Sequence, residues 1–216
     1  MEKNTQVPQE QDQSELILAK ARKNKKTIVT CLVVAAVLLV GALVWIFAAN
    51  SGERKAAELV GAADMAQNDS VATALYMEAA KAGYKGGNRA RAMVGIKLYN
   101  EGEYEKALEY LDDASLDDNI AAAGIYTLRG DCHVNLDQLD KALSCYQKAV
   151  SKADKNPEIV PFVLIKEANI YREQKNYAAE AKAYKTIIDE YPSYVRNVRT
   201  DIRKYYERAL AQQNAQ

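Results

Sequence analysis

The sequence predicts an all-α fold, in which one transmembrane helix is followed by an α-solenoid of about three to four helical hairpins and a C-terminal capping helix. Residues 27–49 form an apolar run without a charge, and a pattern of small and large residues recurs about every 35 residues after it. Alanine, leucine and tyrosine dominate the rest of the chain, which has few β-branched runs, and the whole sequence contains only four prolines. This composition favours helices over strands.

The apolar run of residues 27–49 is long enough to cross a membrane. A helix of this length extends about 35 Å, and the hydrocarbon core of a bilayer is roughly 30 Å thick. A cleaved signal peptide is the alternative, but its apolar region usually spans only about 7–15 residues. We therefore predict a transmembrane helix over residues 27–49.

The charges that flank this segment predict its orientation. Five basic residues precede it (Lys20, Arg22, Lys23, Lys25 and Lys26), whereas only Arg54 and Lys55 follow closely. Basic residues stay preferentially on the cytoplasmic side. We expect residues 1–26 to form a polar and basic cytoplasmic tail, and the chain after about residue 51 to lie on the opposite side of the membrane.

Four segments with a shared pattern define the repeat: residues 74–82, 107–115, 142–150 and 181–189. Each contains one large residue at an equivalent position, namely Tyr76, Leu111, Tyr146 and Tyr184, at spacings of 35, 35 and 38 residues. Small residues recur around them. Together they form a candidate packing set of Gly95, Ala107, Leu111, Gly130, Ala142, Tyr146, Tyr171 and Tyr184.

This packing set resembles the tetratricopeptide repeat (TPR) family, whose unit of about 34 residues packs two antiparallel helices through small residues. The resemblance implies TPR-like repeats over residues 69–192. It also implies a connecting helix over residues 50–68, and a capping helix with a short tail over residues 193–216. Three residues depart from the family pattern: Arg129 and Glu167 stand where leucine is usual, and Glu180 where alanine is usual. Arg129 and Glu167 either pair across adjacent hairpins or are simply solvated.

The sequence shows no pattern typical of an enzyme, and we expect neither catalysis nor a cofactor or metal. Its one histidine, His133, occupies a packing position of the repeat, and its three cysteines lack metal-site spacing. Buried free thiols are the default expectation for Cys132 and Cys145, with a disulfide as the alternative if the domain faces an oxidising space. Residues 50–216 hold 23 basic and 25 acidic residues, which argues against nucleic-acid binding.

The TPR resemblance implies a groove for protein partners, lined by the first helix of each hairpin. The candidate groove residues are Arg89, Ile96, Tyr99, Asp131, Val134, Asn135, Phe162, Ile165, Asn169 and Arg172. TPR domains that bind a terminal carboxylate carry lysine and asparagine where this chain has Ala92 and Ile96, so that mode of binding is not expected.

The overall layout resembles that of the single-pass ancillary translocon subunits with TPR domains in the bacterial inner membrane. This resemblance implies a periplasmic TPR domain that assists protein export or envelope protein biogenesis. Its expected partners are Sec translocon components, periplasmic chaperones or exported clients, and no small-molecule substrate. The alternative function is that of a structural scaffold subunit in another envelope complex, without client binding.

Overall fold

The computed structural model describes residues 25–82, 85–198 and 201–215, and within these ranges it contains ten α-helices and no strand. They are α1 (Lys25–Met65), α2 (Asp69–Ala82), α3 (Gly87–Asn100), α4 (Tyr104–Asp112), α5 (Asn119–Asn135), α6 (Leu139–Lys152), α7 (Ile159–Glu173), α8 (Tyr177–Glu190), α9 (Pro192–Asn197) and α10 (Ile202–Asn214). The predicted all-α fold class is therefore confirmed. Residues 1–24, which make up most of the predicted cytoplasmic tail, lie outside the described residues.

Helix α1 begins with the apolar segment. No other described part of the chain covers the large apolar side chains of this segment. Trp45 is 73% exposed and Phe47 is 77% exposed. By length and composition α1 is a candidate membrane span, a criterion that a signal sequence near an N-terminus also meets. The helix continues to Met65 without a break, so the predicted segments 27–49 and 50–68 are not separate helices. Gly52, the only glycine at the junction, is a weak helix breaker in a run of alanine, glutamate and lysine.

From residue 51 onward, consecutive helices pack as hairpins. In the C-terminal part of α1, Ala56, Val60 and Ala63 share one buried face, because they are spaced by three and four residues. Val60 packs in a cluster with Ala79 of α2 and with Ala90 of α3. The remaining hairpins are α3 with α4, α5 with α6, and α7 with α8.

The repeat is visible in the backbone as well as in the side chains. Gly102, Asp137 and Lys175 have positive φ angles of 81°, 57° and 57°, and each lies between the two helices of a hairpin. A left-handed residue there ends the first helix and reverses the chain. The longer third spacing of the repeat coincides with the loop between α6 and α7. Two further left-handed residues, Asp154 and Lys155, lie in that loop.

The C-terminal region differs from the single capping helix predicted within residues 193–216. Helix α9 ends at Asn197 because Val198 adopts an extended backbone with ψ of 140°. Helix α10 starts anew at Ile202, where the Asp201 side chain accepts a hydrogen bond from the Lys204 amide (3.1 Å). Ile202 and Ala209 of α10 are fully buried, and α10 packs against α8. The end of the stack is thus capped by α10.

Candidate partner-binding cleft

A cleft with a volume of about 570 Å³ lies between α3, α5 and α7. Three successive hairpins therefore contribute to it, each through its first helix. Its lining consists of Tyr99, Asp131, Val134, Asn135, Tyr146, Lys166, Asn169, Ile170, Arg172 and Glu173. The lining combines apolar side chains with amides and charges of both signs, as is typical of sites that fix the orientation of a bound segment.

Asp131 is the centre of a hydrogen-bonded group inside this cleft. Its Oδ1 accepts a hydrogen bond from Tyr146 Oη (2.6 Å), and its two carboxylate oxygens lie 2.9 and 3.1 Å from Lys166 Nζ. Asn135 Nδ2 donates to the main-chain oxygen of Asp131 (2.8 Å). The Asp131 side chain is only 17% exposed. The group therefore fixes α5, α6 and α7 relative to one another at the cleft.

The electrostatic surroundings keep the phenols and thiols near the cleft protonated. Burial, and next the hydrogen bond to Asp131, raise the pKa of Tyr146 far above its ordinary value. Burial also raises the pKa of Tyr99, with a smaller contribution from the charge of Asp131. Burial raises the pKa of the Cys132 thiol to about 12 and raises that of Cys145. The phenols therefore act as hydrogen-bond donors. The thiols are packing residues and poor nucleophiles, because only the thiolate form is nucleophilic.

Six of the ten predicted groove residues line this cleft together: Tyr99, Asp131, Val134, Asn135, Asn169 and Arg172. Arg89 lies elsewhere, where its Nη2 forms an ion pair with Asp64 Oδ2 of α1 (2.8 Å). Ile96 lines a second cleft of about 370 Å³ between α2 and α3. Phe162 is exposed, with Lys166 Nζ 5.0 Å from its ring centre, and Ile165 packs against the core of the last hairpin.

The sequence did not indicate four residues of the cleft in that role. Lys166, Ile170 and Glu173 flank predicted groove positions on α7, and Tyr146 was assigned to packing alone. Tyr146 has both roles, since its ring is buried and its hydroxyl reaches Asp131. Lys166 lies 35 residues after Asp131, whereas the repeat spacing between these two hairpins is 38 residues, so the repeat pattern did not indicate it.

The predicted packing residues lie where helices approach each other closely. A Cβ atom on Gly95 would come within 2.6 Å of two side-chain atoms of Leu111, and one on Gly130 would overlap the ring of Tyr146. Ala107, Ala142 and Leu111 are fully buried, and Tyr184 is nearly so. Tyr171 is half-buried. The glycines of α3 and α5 thus make room for the large residues of α4 and α6.

Arg129 and Glu167 neither pair with each other nor are simply solvated, so both expectations for this pair were wrong. Arg129 Nη2 binds Asp112 Oδ1 of α4 (2.5 Å), and its guanidinium carbon lies 5.1 Å from the ring centre of Tyr126. Glu167 is buried, with 7% exposure. Leucine is usual at this position between adjacent hairpins. The middle hairpin instead carries the ion-paired Arg129, and the last hairpin carries the buried carboxyl of Glu167.

His133 and the two cysteines of the middle hairpin have structural surroundings. His133 is half-buried and its Nδ1 lies 3.0 Å from Gln138 Oε1. Cys132 and Cys145 are buried free thiols. Within residues 25–82, 85–198 and 201–215, no group of three or more His, Cys, Asp or Glu side chains is placed to hold a metal ion.

The fold and the cleft define a class of protein, an α-solenoid of helical hairpins with a groove along its first helices. Residues 123–154, which comprise most of α5 and all of α6, match the family described as "Tetratricopeptide repeat". This segment resembles a TPR unit, and the hairpin stack around it has a TPR-like fold. Domains of this fold are protein-interaction modules.

Two solved structures are similar to the chain. One, titled "Crystal structure of MamA", is 18% identical with a TM-score of 0.50, and the match covers 68% of this chain and 89% of that one. The other, titled "Crystal structure of MamA protein", is 18% identical with a TM-score of 0.49, covering 78% of this chain and 91% of that one. At this identity the likeness concerns the fold alone. No curated protein matches the sequence.

Proposed function

We propose that the chain is a membrane-anchored, non-catalytic module that binds a segment of a partner protein in the cleft between α3, α5 and α7. The observation that carries the proposal is the mixed lining of this cleft. Val134 and Tyr99 offer apolar contact, and the exposed Asn169 and Arg172 make no side-chain hydrogen bond or ion pair within the described part of the chain. Unused donors beside apolar surface suit an extended or helical peptide.

The apolar part of α1 supports the anchoring. Its large side chains are exposed over the whole run, which is costly in water and favourable in lipid. Five basic residues before the run against two close after it favour a cytoplasmic N-terminus. The TPR domain then lies on the periplasmic side of a bacterial inner membrane.

The layout of tail, single span and short TPR stack supports a role beside a translocon. In this role the cleft receives newly exported proteins, periplasmic chaperones or exposed segments of Sec translocon components, and so assists protein export or envelope protein biogenesis. The lining of the cleft suits such partners, because it combines apolar contact with orienting polar groups and does not enclose a small molecule.

Photo-crosslinking in native membranes tests the proposal. A photoreactive residue in the cleft, Asn169→p-benzoylphenylalanine, is compared with Lys182→p-benzoylphenylalanine on the exposed face of α8. We expect the cleft position to capture translocon components or newly exported proteins that the control position does not. Capture of a stable neighbour from Lys182 alone would contradict cleft binding and favour the scaffold function.

A further inference from the structure

The second cleft, between α2 and α3, is built from the same repeat positions as the first cleft, which lies between α3, α5 and α7. Tyr76 of α2 corresponds to Tyr146 of α6, because two repeat spacings of 35 residues separate them. Four positions of α3 correspond to positions of α7 at a separation of 73 residues, which also separates the large residues Leu111 and Tyr184 of these two hairpins. These pairs are Met93 and Lys166, Ile96 and Asn169, Lys97 and Ile170, and Asn100 and Glu173. The two clefts are therefore the same feature of the repeat, formed at different hairpins.

The second cleft is the more apolar of the two at the corresponding positions. Met93 and Ile96 stand where the first cleft has the ammonium group of Lys166 and the amide of Asn169. Ile96 is 38% exposed, so its side chain is open to a ligand. The volume of about 370 Å³ lies within the range of roughly 300–1,000 Å³ that is common for ligand pockets. The second cleft therefore has room for an aliphatic side chain of a partner.

The charged groups of the second cleft favour a cationic ligand. Its charged lining residues are Asp69, Lys97 and Glu101. Lys97 pairs with both carboxylates, and its Nζ lies 3.6 Å from Glu101 Oε1. The side chains of Asp69 and Glu101 are 81% and 51% exposed, so both stay accessible to a further cation. The lining thus has one positive and two negative charges, whereas the first cleft has two of each. Complementary charge on a partner is therefore positive.

Helix α3 is a wall of both clefts. Tyr99 lines the first cleft, whereas Ile96 and Asn100 of the same helix line the second. The two clefts therefore meet at α3, and a partner segment that leaves the first cleft over Tyr99 can continue into the second.

We propose that the second cleft binds an aliphatic side chain of a partner segment in which lysine or arginine flanks that side chain. The aliphatic group packs against Met93 and Ile96, and the flanking cations pair with Asp69 and Glu101. That this segment belongs to the protein held in the first cleft rests on the proposed function. The preference of the second cleft for an aliphatic side chain between basic ones does not.

A titration with a defined peptide tests the inference in the full-length chain in a non-ionic detergent. The probe is the peptide Ser-Lys-Leu-Lys-Ser, and the methyl signals of Met93 and Ile96 are followed by NMR. We expect these signals to shift and to saturate. Replacing the leucine of the probe by serine should weaken binding about tenfold or more, because the apolar contact is lost. Replacing both lysines by glutamate should weaken it to a similar extent, because like charges then face each other.

A pair of variants assigns the binding to the second cleft. Ile96→Asn introduces the amide that the first cleft has at the corresponding position, and we expect it to weaken binding of the leucine probe about tenfold or more. Ile120→Asn is the matched control at the start of α5, where the isoleucine is 56% exposed and does not line the second cleft, and it should bind like the native chain. Circular dichroism checks that both variants fold.

Three results would overturn the inference: absence of methyl shifts, equal affinity for the leucine and serine probes, or equal affinity of Ile96→Asn and the native chain. The comparison of probes uses the native chain alone, so it decides even if Ile96→Asn does not fold. Absence of crosslinks from Asn169 would count against the proposed function only, since the peptide titration requires no cellular partner. Crosslinks from Asn169 without methyl shifts would retain the proposed function and overturn the inference.

Discussion

Lys166 of α7 binds both carboxylate oxygens of Asp131 of α5, at 2.9 and 3.1 Å, and so joins two adjacent hairpins inside the cleft. Both side chains are mostly shielded from solvent, with exposures of 26% and 17%. Because Tyr146 also donates to Asp131, one carboxylate connects three helices.

Removal of this ion pair is expected to destabilise the stack. Lys166→Met keeps the aliphatic stem and leaves Asp131 with the Tyr146 hydroxyl and no cation, for which we expect a loss of about 1–3 kcal/mol in the free energy of unfolding. The matched control is Lys185→Met, because Lys185 pairs with Asp189 on an exposed face of α8 (2.6 Å). Such an exposed pair contributes little to the free energy of unfolding. Urea unfolding of both variants checks the difference, and equal losses would contradict it.

Two glycines of α5 provide a paired test of the repeat packing. Gly130→Ala places a methyl group against the ring of Tyr146, for which we expect an overpacking cost of about 1–3 kcal/mol. Gly124→Ala is the control, since no atom lies within 4 Å of the added Cβ. It is expected to stabilise the helix by up to about 1 kcal/mol. Thermal midpoints that shift in the same direction for both variants would reject the helix contact described above.

The ion pair between buried Glu180 of α8 and Arg208 of α10 predicts a strong dependence of stability on Arg208. Arg208 Nη2 binds Glu180 Oε1 (2.5 Å), whereas Oε2 has no hydrogen-bond partner and Glu180 is 1% exposed. Arg208→Ala leaves a buried charge and should cost about 3–5 kcal/mol. The double variant Glu180→Ala/Arg208→Ala restores the alanine that is usual in the family, so it should be more stable than Arg208→Ala. A double variant at least as unstable as Arg208→Ala would contradict this account.

The raised thiol pKa values predict slow alkylation of the native chain. At pH 8 we expect iodoacetamide to modify Cys132 and Cys145 only after denaturation, because burial raises the pKa of both thiols. Peptide mass spectrometry quantifies the modification. Labelling that requires a reductant even in denaturant would show a disulfide and contradict the free thiols of the structure.

Periodic features of the fold could be predicted from the sequence, and contacts between distant residues could not. Gly130 and Tyr146 recur at the repeat spacing, so their packing positions follow from pattern alone. The break at Val198 does not, because the backbone of that residue is set by how Tyr194, Val195 and Ile202 pack onto the last hairpin.

The residues that line the candidate cleft could likewise be predicted only in part from the sequence. Positions on the first helices follow from the repeat, and six of the predicted residues meet in one cleft. Arg89 does not line this cleft because its ion-pair partner Asp64 lies on α1, outside residues 69–192, for which repeats were predicted. Lys166 was missed because its role depends on the distance to Asp131, which only the packing of α5 on α7 determines.

Co-isolation of partners with a blocked cleft tests the central claim most directly. The native chain, Val134→Arg within the cleft and Lys182→Arg on the exposed face of α8 are each purified from membranes in mild detergent, and the associated proteins are quantified. If the cleft binds partner proteins, Val134→Arg loses translocon components or exported clients that the native chain and Lys182→Arg both retain. Equal recovery of these proteins with all three chains would contradict the claim.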